Sequence, residues 1–495
     1  MDLQFSQSVF QCLQPATREY QTQEQTQDVR IPEGMPDIGT VLASWGQVIL
    51  RGKEWRSDQV GISGGVLARV LYLPEGGDTP HSVEAWLPFQ MKWTIPGGCQ
   101  DGTIVVQPCL RSADARSLSA RKLMVRVNVG ILMEAYCPAE HVAYRAESVP
   151  EDVQVLEKCH HLTVAKEAGE KAFNLDEHLE MAGQESAPEQ ILKVGLTPQV
   201  LEQKVLSDKL VFRGLCVAHV LYRGTDGQLY SRDFDLPFSQ YAELVGEYSA
   251  EAYPTVIPVV TNLELESTPE GAMRLKGGLS GQYIIYDKSE VVLAGDAFSP
   301  LRKTELTMDQ FCAPSVDEQI LRTVSAQTEV QTDVMRPIDV VFWPEQPYAG
   351  RENDRFEADL SGVFQILYYD PDGQLQSMQS RWQETVPLPA EKEQHAAVSV
   401  RPGGKPQFSA GMLCADLLLD CCMTSGQGLP MVTAMGATEA AEPDPRRPSL
   451  VVTKVGNNTL WDLAKENGST VEKINRANGL QAEPTPDQVL LIPLI

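Results

Sequence analysis

GLCVAHVLYRGTDGQLYSRDFDLPF, Gly214 to Phe238, runs from an apolar stretch ending Val-Leu-Tyr through a Gly/Asp turn to a second stretch that closes on Leu-Pro-Phe. Apolar runs flanking a Gly-containing turn read as a β-hairpin. The same text stands upstream, where Gly64 to Phe89 reads GGVLARVLYLPEGGDTPHSVEAWLPF. Tyr72 and Tyr222 lie 150 residues apart, and Phe89 and Phe238 lie 149 apart. A second landmark keeps phase with the first. Val125 to Tyr136 (VRVNVGILMEAY) and Leu275 to Tyr286 (LKGGLSGQYIIY) both read as strands, and each ends 64 residues beyond its Val-Leu-Tyr tyrosine. Two spacings shared twice define an internal repeat of about 150 residues.

A looser third copy begins at Gly362, GVFQILYYDPDGQLQSMQSRWQETVPL. Its Asp370-Pro371-Asp372-Gly373 turn corresponds to Thr225-Asp226-Gly227-Gln228. Its later strand, Phe408 to Asp420, arrives early, so the copy is shortened. Between copies, Val164 to Gln184 and Asp317 to Ala326 are rich in helix-permissive residues and predict short connecting helices. The expected architecture is mainly β: three repeated β-rich domains with short connecting helices, then a small βααβ domain. The expected boundaries are 1–160, 161–310, 311–436, a linker at 437–449, and a terminal module at 450–495.

The linker, ATEAAEPDPRRPS, has almost nothing to bury, and its prolines keep it extended. The module after it is locally consistent. Leu450 to Val455 is a short strand and Gly456-Asn457-Asn458 a turn. Leu460, Leu463 and Ala464 fall on one helix face, with Thr459 and Asp462 in capping-box positions and Asn467-Gly468 at the end. Ser469 and Glu472 predict a second capping box, Val471 and Ile474 face inward, and Asn478-Gly479 stops that helix. Val489 to Pro493 is the closing strand.

These residues carry a resemblance. Gly456 to Ala464 (GNNTLWDLA), Asn475 to Leu480 (NRANGL) and Gln488 to Pro493 (QVLLIP) resemble the LysM family over its full length. The turn is one residue longer than the family's Gly-Asp-Thr-Leu, and its acidic residue is replaced. The resemblance implies a shallow groove, for N-acetylglucosamine chains or for a protein, lined by Asn457, Asn458, Thr459, Leu460, Asn478 and Leu480. In the body, Ile31 to Val41 (IPEGMPDIGTV), the Leu71-Tyr72 strand end and Leu87 to Phe89 resemble the SPOCS domain of spore-coat proteins. The combination is similar to the SipL-type coat morphogenesis proteins of spore-forming clostridia. That likeness implies a place in the mother-cell cytoplasm at the forespore surface and a module that engages a coat-basement ATPase of the SpoIVA type and other coat proteins.

Composition narrows the alternatives. A chain of 495 residues is too long for one ordinary core. A formal net charge of −26 disfavours nucleic acid, which needs clustered Lys and Arg. No run of eighteen apolar residues occurs, so no transmembrane segment is expected. Met1 to Tyr20 lacks the basic and apolar regions of a secretory signal, and a cytoplasmic protein is expected. Ten cysteines without a CxxC read as idle thiols. Cys159, His160, His161 and His178 show no metal-ligand spacing, so neither metal nor cofactor is expected. Gly61-Ile62-Ser63-Gly64-Gly65 fits the nucleophile-elbow pattern, but a strand rather than a helix follows it, and it reads as a glycine-rich turn. Trp461 reads as partly core rather than as a sugar-stacking platform. No catalytic constellation emerges, and the chain reads as a non-enzymatic scaffold, with a wall protein binding peptidoglycan through its LysM module as the alternative.

Overall fold

Alternation is the rule that builds the body. In the strand Lys122–Ala146, Leu123, Val125, Val127, Val129, Ile131 and Met133 are all buried, every second residue in turn. The computed structural model describes residues 5–99, 101–180, 186–267, 272–352, 355–389, 394–425, 428–438, 448–480 and 482–494.

The first copy comprises β1 (Phe5–Arg30), β2 (Ile38–Arg56), β3 (Gln59–Pro74), β4 (His81–Thr94), β5 (Thr103–Ser119) and β6 (Lys122–Ala146). The second comprises β7 (Gln154–Leu179), β8 (Pro188–Leu206), β9 (Lys209–Gly224), β10 (Leu229–Glu243), β11 (Tyr253–Ser267) and β12 (Met273–Phe298). In the third, β13 (Thr304–Phe311) and β14 (Ser315–Glu329) precede β15 (Arg336–Pro344), β16 (Tyr348–Glu352), β17 (Arg355–Tyr369) and β18 (Leu375–Leu388). It ends with β19 (Gln394–Pro402), β20 (Gln407–Ser409), β21 (Met412–Ser425) and β22 (Leu429–Ala437). The module is β23 (Leu450–Lys454), α1 (Leu460–Asn467), α2 (Val471–Asn478) and β24 (Val489–Pro493).

Each of the first two copies packs a three-stranded meander, β2-β3-β4 or β8-β9-β10, against a long-stranded sheet, β1-β6-β5 or β7-β12-β11. The long sheets join through β1 and β7, where Leu13 faces Ala165. The third copy repeats the plan in pieces: β15-β17-β16 with β18 on β17, facing β14-β21-β19, while β13 pairs with β22.

The repeat extends to irregularities. The β2/β3 ladder is bulged at Ile38/Thr40, Val41/Ala43 and Leu50/Gly52, and β8/β9 at Pro188/Gln190, Ile191/Lys193 and Val200/Glu202, each 150 residues on. Bulges bend and twist a strand, so shared bulges mean shared curvature. The turns agree too, although the bonds pair Asp370 to Gly373 with Gly224 to Gly227, one residue before the expected Thr225 to Gln228. Gly224 N–H bonds Gln228 O and Gly227 N–H bonds Gly224 O, while Asp370 bonds Gln374 and Gly373 bonds Asp370 in the same pattern.

Several expectations are corrected. Val164 onward is not a helix but the second half of β7, paired along its length with β12. Residues 181–184 of that expected helix lie outside the described residues. Asp317 to Ala326 lies within β14, paired with β21. Helix propensity is a weak prior, and here a waiting antiparallel partner overrides it. Gly61 to Gly65 is no turn. It lies inside β3, and Gly64 and Gly65 face Leu50 and Ile49 of β2. The expected strand Phe408 to Asp420 is two strands, β20 and β21, folded at Ala410-Gly411, both at positive φ. Residues 439–447 of the expected linker lie outside the described residues.

Candidate binding site

The module forms as its sequence predicts, with one shift. Thr459 caps α1: its hydroxyl accepts from Asp462 N–H, and the Asp462 carboxylate accepts Thr459 N–H at 2.9 Å. The Thr459 hydroxyl also donates to that carboxylate at 2.7 Å, and this bond, with the one from Thr459 N–H, holds the Asp462 carboxyl below its ordinary range. Gly468 ends α1 in the left-handed region at φ 61°, and Gly479 ends α2 at φ 63°. The second cap is Thr470, not Ser469. Ser469 is fully buried and its hydroxyl donates to Pro493 O, so the helix starts one residue later. Glu472 therefore completes no capping box with Ser469, and it pairs along the helix with Arg476 at 2.7 Å.

The six expected groove residues divide by what their groups are doing. Gly456 N–H bonds Pro486 O at 2.9 Å and Val455 N–H bonds Gln488 O at 3.0 Å, which ties the first loop to the loop before β24. Asn457 and Asn458 are exposed on that tied loop. Thr459 is exposed, but its hydroxyl serves the cap. Leu460 is only 4% exposed and belongs to the module's core with Leu463, Ile474, Leu490 and Ile492. Asn478 spends its amide inside the fold: Nδ2 donates to Ile474 O and Leu491 O, and Oδ1 accepts Leu491 N–H at 2.8 Å. It locks α2 to β24. Leu480 is half-buried against the same core.

Trp461 meets the body. Its ring sits edge-on to Phe298 with centroids 4.9 Å apart, and its Nε1–H donates to Asp296 Oδ2 at 2.8 Å. Lys465 Nζ reaches the same carboxylate at 2.6 Å, and Leu156 packs beside them. The module thus sits on the end of the β7/β12 ribbon, with α1 toward the body. At 8% exposure Trp461 offers no face for a sugar to stack on.

A second feature lies in the body, where β2 and β5, β8 and β11, and β15 and β19 together line a cavity of about 340 Å³. Beside it Lys193 Nζ and Asp339 Oδ2 approach to 2.5 Å, with both side chains nearly sealed from solvent. His219 sits between Asp233 at Nδ1 and Asp339 at Nε2, Lys405 reaches Asp233, and Lys193 lies 5.2 Å from the centre of the Trp45 ring. Burial and Lys193 press the His219 pKa down, but the two carboxylates outweigh them and raise it. Two acceptors on two ring nitrogens call for an imidazolium. Burial likewise works against the Asp339 carboxylate, yet Lys193 and His219 hold its pKa far below the ordinary range. Sequence reading missed this network. Its one available signal was a lysine and an aspartate, Lys193 and Asp339, at bulge positions where the first copy has Ala43.

Fold and site together define a class: a chain of repeated β-sandwich units carrying a small βααβ recognition module. Residues 188–267 match the SipL, SPOCS domain family, and residues 454–493 match the LysM domain family. The SPOCS match spans β8 to β11 of the second copy, although the clearest sequence resemblance lay in the first. No curated protein and no solved structure matches the chain. The two families point to a sporulation protein with a module of the peptidoglycan-binding kind, and both are binding domains rather than catalytic ones. No helix among the described residues is long and apolar enough to cross a membrane.

Proposed function

We propose that this protein is a non-enzymatic scaffold for spore-coat assembly, working in the mother-cell cytoplasm at the forespore surface. Its LysM module docks onto a coat-basement ATPase of the SpoIVA type, and the β-rich units contact other coat proteins. The units proposed from the repeat are 1–160, 161–310 and 311–436, followed by a linker at 437–449 and the module at 450–495; the strands favour starting the second unit at β7 (Gln154) and the third at β13 (Thr304). The observation that carries the reading is the presence of a SPOCS-type unit and a LysM module on one chain. Several linked contacts raise avidity, because each contact after the first is effectively intramolecular.

The alternative, binding of N-acetylglucosamine chains, draws on the exposed polar loop Asn457-Asn458-Thr459. The full-length protein separates the two, tested against the purified ATPase and against purified peptidoglycan. The scaffold reading expects saturable binding to the ATPase, no retention on peptidoglycan, and affinity about tenfold weaker (~1.4 kcal/mol) for the double variant Asn457→Ala/Asn458→Ala. Leu460 and Asn478 are poor probes, since changing either disturbs the module's own fold. Retention on peptidoglycan that N-acetylglucosamine oligomers compete away, with no ATPase bound, overturns the scaffold reading in favour of the alternative.

A further inference from the structure

The ribbon formed by β7 and β12 carries three unlike donors on one exposed patch. Cys159 and His161 are two apart on β7, so their side chains leave the same face of the strand. Glu290 lies directly across from His161 in the antiparallel register, and Val292 lies across from Cys159. Of the four corners of this cross-strand rectangle, three therefore hold a thiol, an imidazole and a carboxylate. Directly opposed residues on such a pair have Cβ atoms roughly 4.5–5.5 Å apart, close enough for side chains to share a partner. Here the Cys159 sulfur, a His161 ring nitrogen and a Glu290 carboxylate oxygen all lie within 4.8 Å of one another, and all three residues are exposed. His161 Nδ1 and Glu290 Oε1 are 3.5 Å apart, too far for a good hydrogen bond.

We infer that Cys159, His161 and Glu290 form a binding site for a divalent transition ion of the zinc type. Zinc takes thiolate, imidazole and carboxylate ligands at about 2.0–2.3 Å in a tetrahedron, which places ligand atoms roughly 3.3–3.8 Å apart. The present separations need only small rotations of solvent-facing side chains to reach that. The donor set also selects against the hard cations, since magnesium and calcium take oxygen ligands and gain little from sulfur or imidazole. Three protein ligands leave the fourth position of the tetrahedron to water or to a donor from another molecule. Strand pairing makes the site, which is why spacing along the chain does not reveal it.

The test uses the full-length protein with its thiols reduced, stripped of metal by a chelator and titrated with cobalt(II), then with zinc in competition. The expected result is a thiolate-to-cobalt charge-transfer band that saturates at one ion per chain and is displaced by zinc. Cys159→Ser abolishes the band. Glu290→Gln and His161→Gln weaken binding by at least the roughly 10- to 100-fold that loss of an outer-shell partner costs a metal site. Cys312→Ser, which removes another exposed thiol, leaves it unchanged. Because the three positions are on the surface, thermal melts of the metal-free variants should match the parent, so lost binding is not lost folding. A band that persists in Cys159→Ser, equal affinity in Glu290→Gln, or no thiolate–cobalt absorption at all would each overturn the site.

Discussion

Gly64, Gly214 and Gly362 open the central hairpin of each copy, and one physical reason accounts for all three. A Cβ on Gly64 would lie under 3.0 Å from Ile49 O and the Phe89 ring, and one on Gly214 under 3.0 Å from Gln199 O and the Phe238 ring. On Gly362 it would meet Trp343 O and the Phe342 ring, so the third copy supplies its aromatic from β15, an earlier strand, instead of from the following one. The closing Leu-Pro-Phe is thus the ring that presses on the opening glycine. Gly61, on the same strand as Gly64, has nothing within 4 Å of its would-be Cβ. Gly64→Ala should therefore cost at least about 1–3 kcal/mol by overpacking, with backbone as well as ring in the way. Gly61→Ala should stay within about 0.5 kcal/mol. Denaturant melts of the two variants check this, and equal effects would show that strand propensity rather than close approach keeps the glycines.

At the scale of elements, the legible parts of the sequence were those where one signal had no competitor. Strands with alternating burial, the Gly/Asp turns and the module's βααβ order could all be read, because period, turn chemistry and caps agreed. The segments after Val164 and after Asp317 misled, because their composition suits a helix and the partner strands that claim them lie far along the chain. For the same reason the groups that converge across strands were invisible: Cys159 with Glu290, and Lys193 with Asp339. Within the module the second cap was misplaced by one residue, since Ser and Thr both suit the position and only the buried bond from Ser469 to Pro493 decides between them. Thr470→Ala should lower the module's stability by about 1 kcal/mol, the usual worth of an N-cap. Ser469→Ala should cost a similar amount by taking the donor from the partly buried Pro493 carbonyl. Glu472→Ala should cost no more than the few tenths of a kcal/mol of its exposed pair with Arg476, where a capping box would have made it matter. Hydrogen exchange of the α2 amides reads all three.

The whole molecule is held together by contacts between parts that no single copy contains. One is the seat of the module, where Asp296 receives both Trp461 and Lys465. Asp296→Ala leaves an indole N–H without its acceptor, so Trp461 fluorescence should shift toward that of a solvated indole and α1 should exchange faster, while the body melts as before. Another is the meeting of bulges. Ala43, Lys193 and Asp339 stand at corresponding bulges of the three copies, so divergence at one repeated position has produced a buried pair of opposite charges between two copies. Asp339→Leu strands both Lys193 and one nitrogen of His219 and should cost roughly 3–5 kcal/mol, whereas Lys193→Met leaves Asp339 paired with His219 and should cost less. His219 adds a dependence on pH with a definite sign. Its pKa is raised above the ordinary 6.5, so its contribution is complete below that value and is lost as pH rises through the folded one. Asp339 is depressed below 3.8, so its contribution is present above that value and fails only in acid. Comparing urea midpoints of the parent and His219→Gln across pH should therefore show the parent's advantage greatest between about pH 4 and 6.5 and shrinking on the alkaline side. An advantage that grows above pH 7 would mean the ring is neutral in the folded protein, and the two carboxylates would then need another source of positive charge.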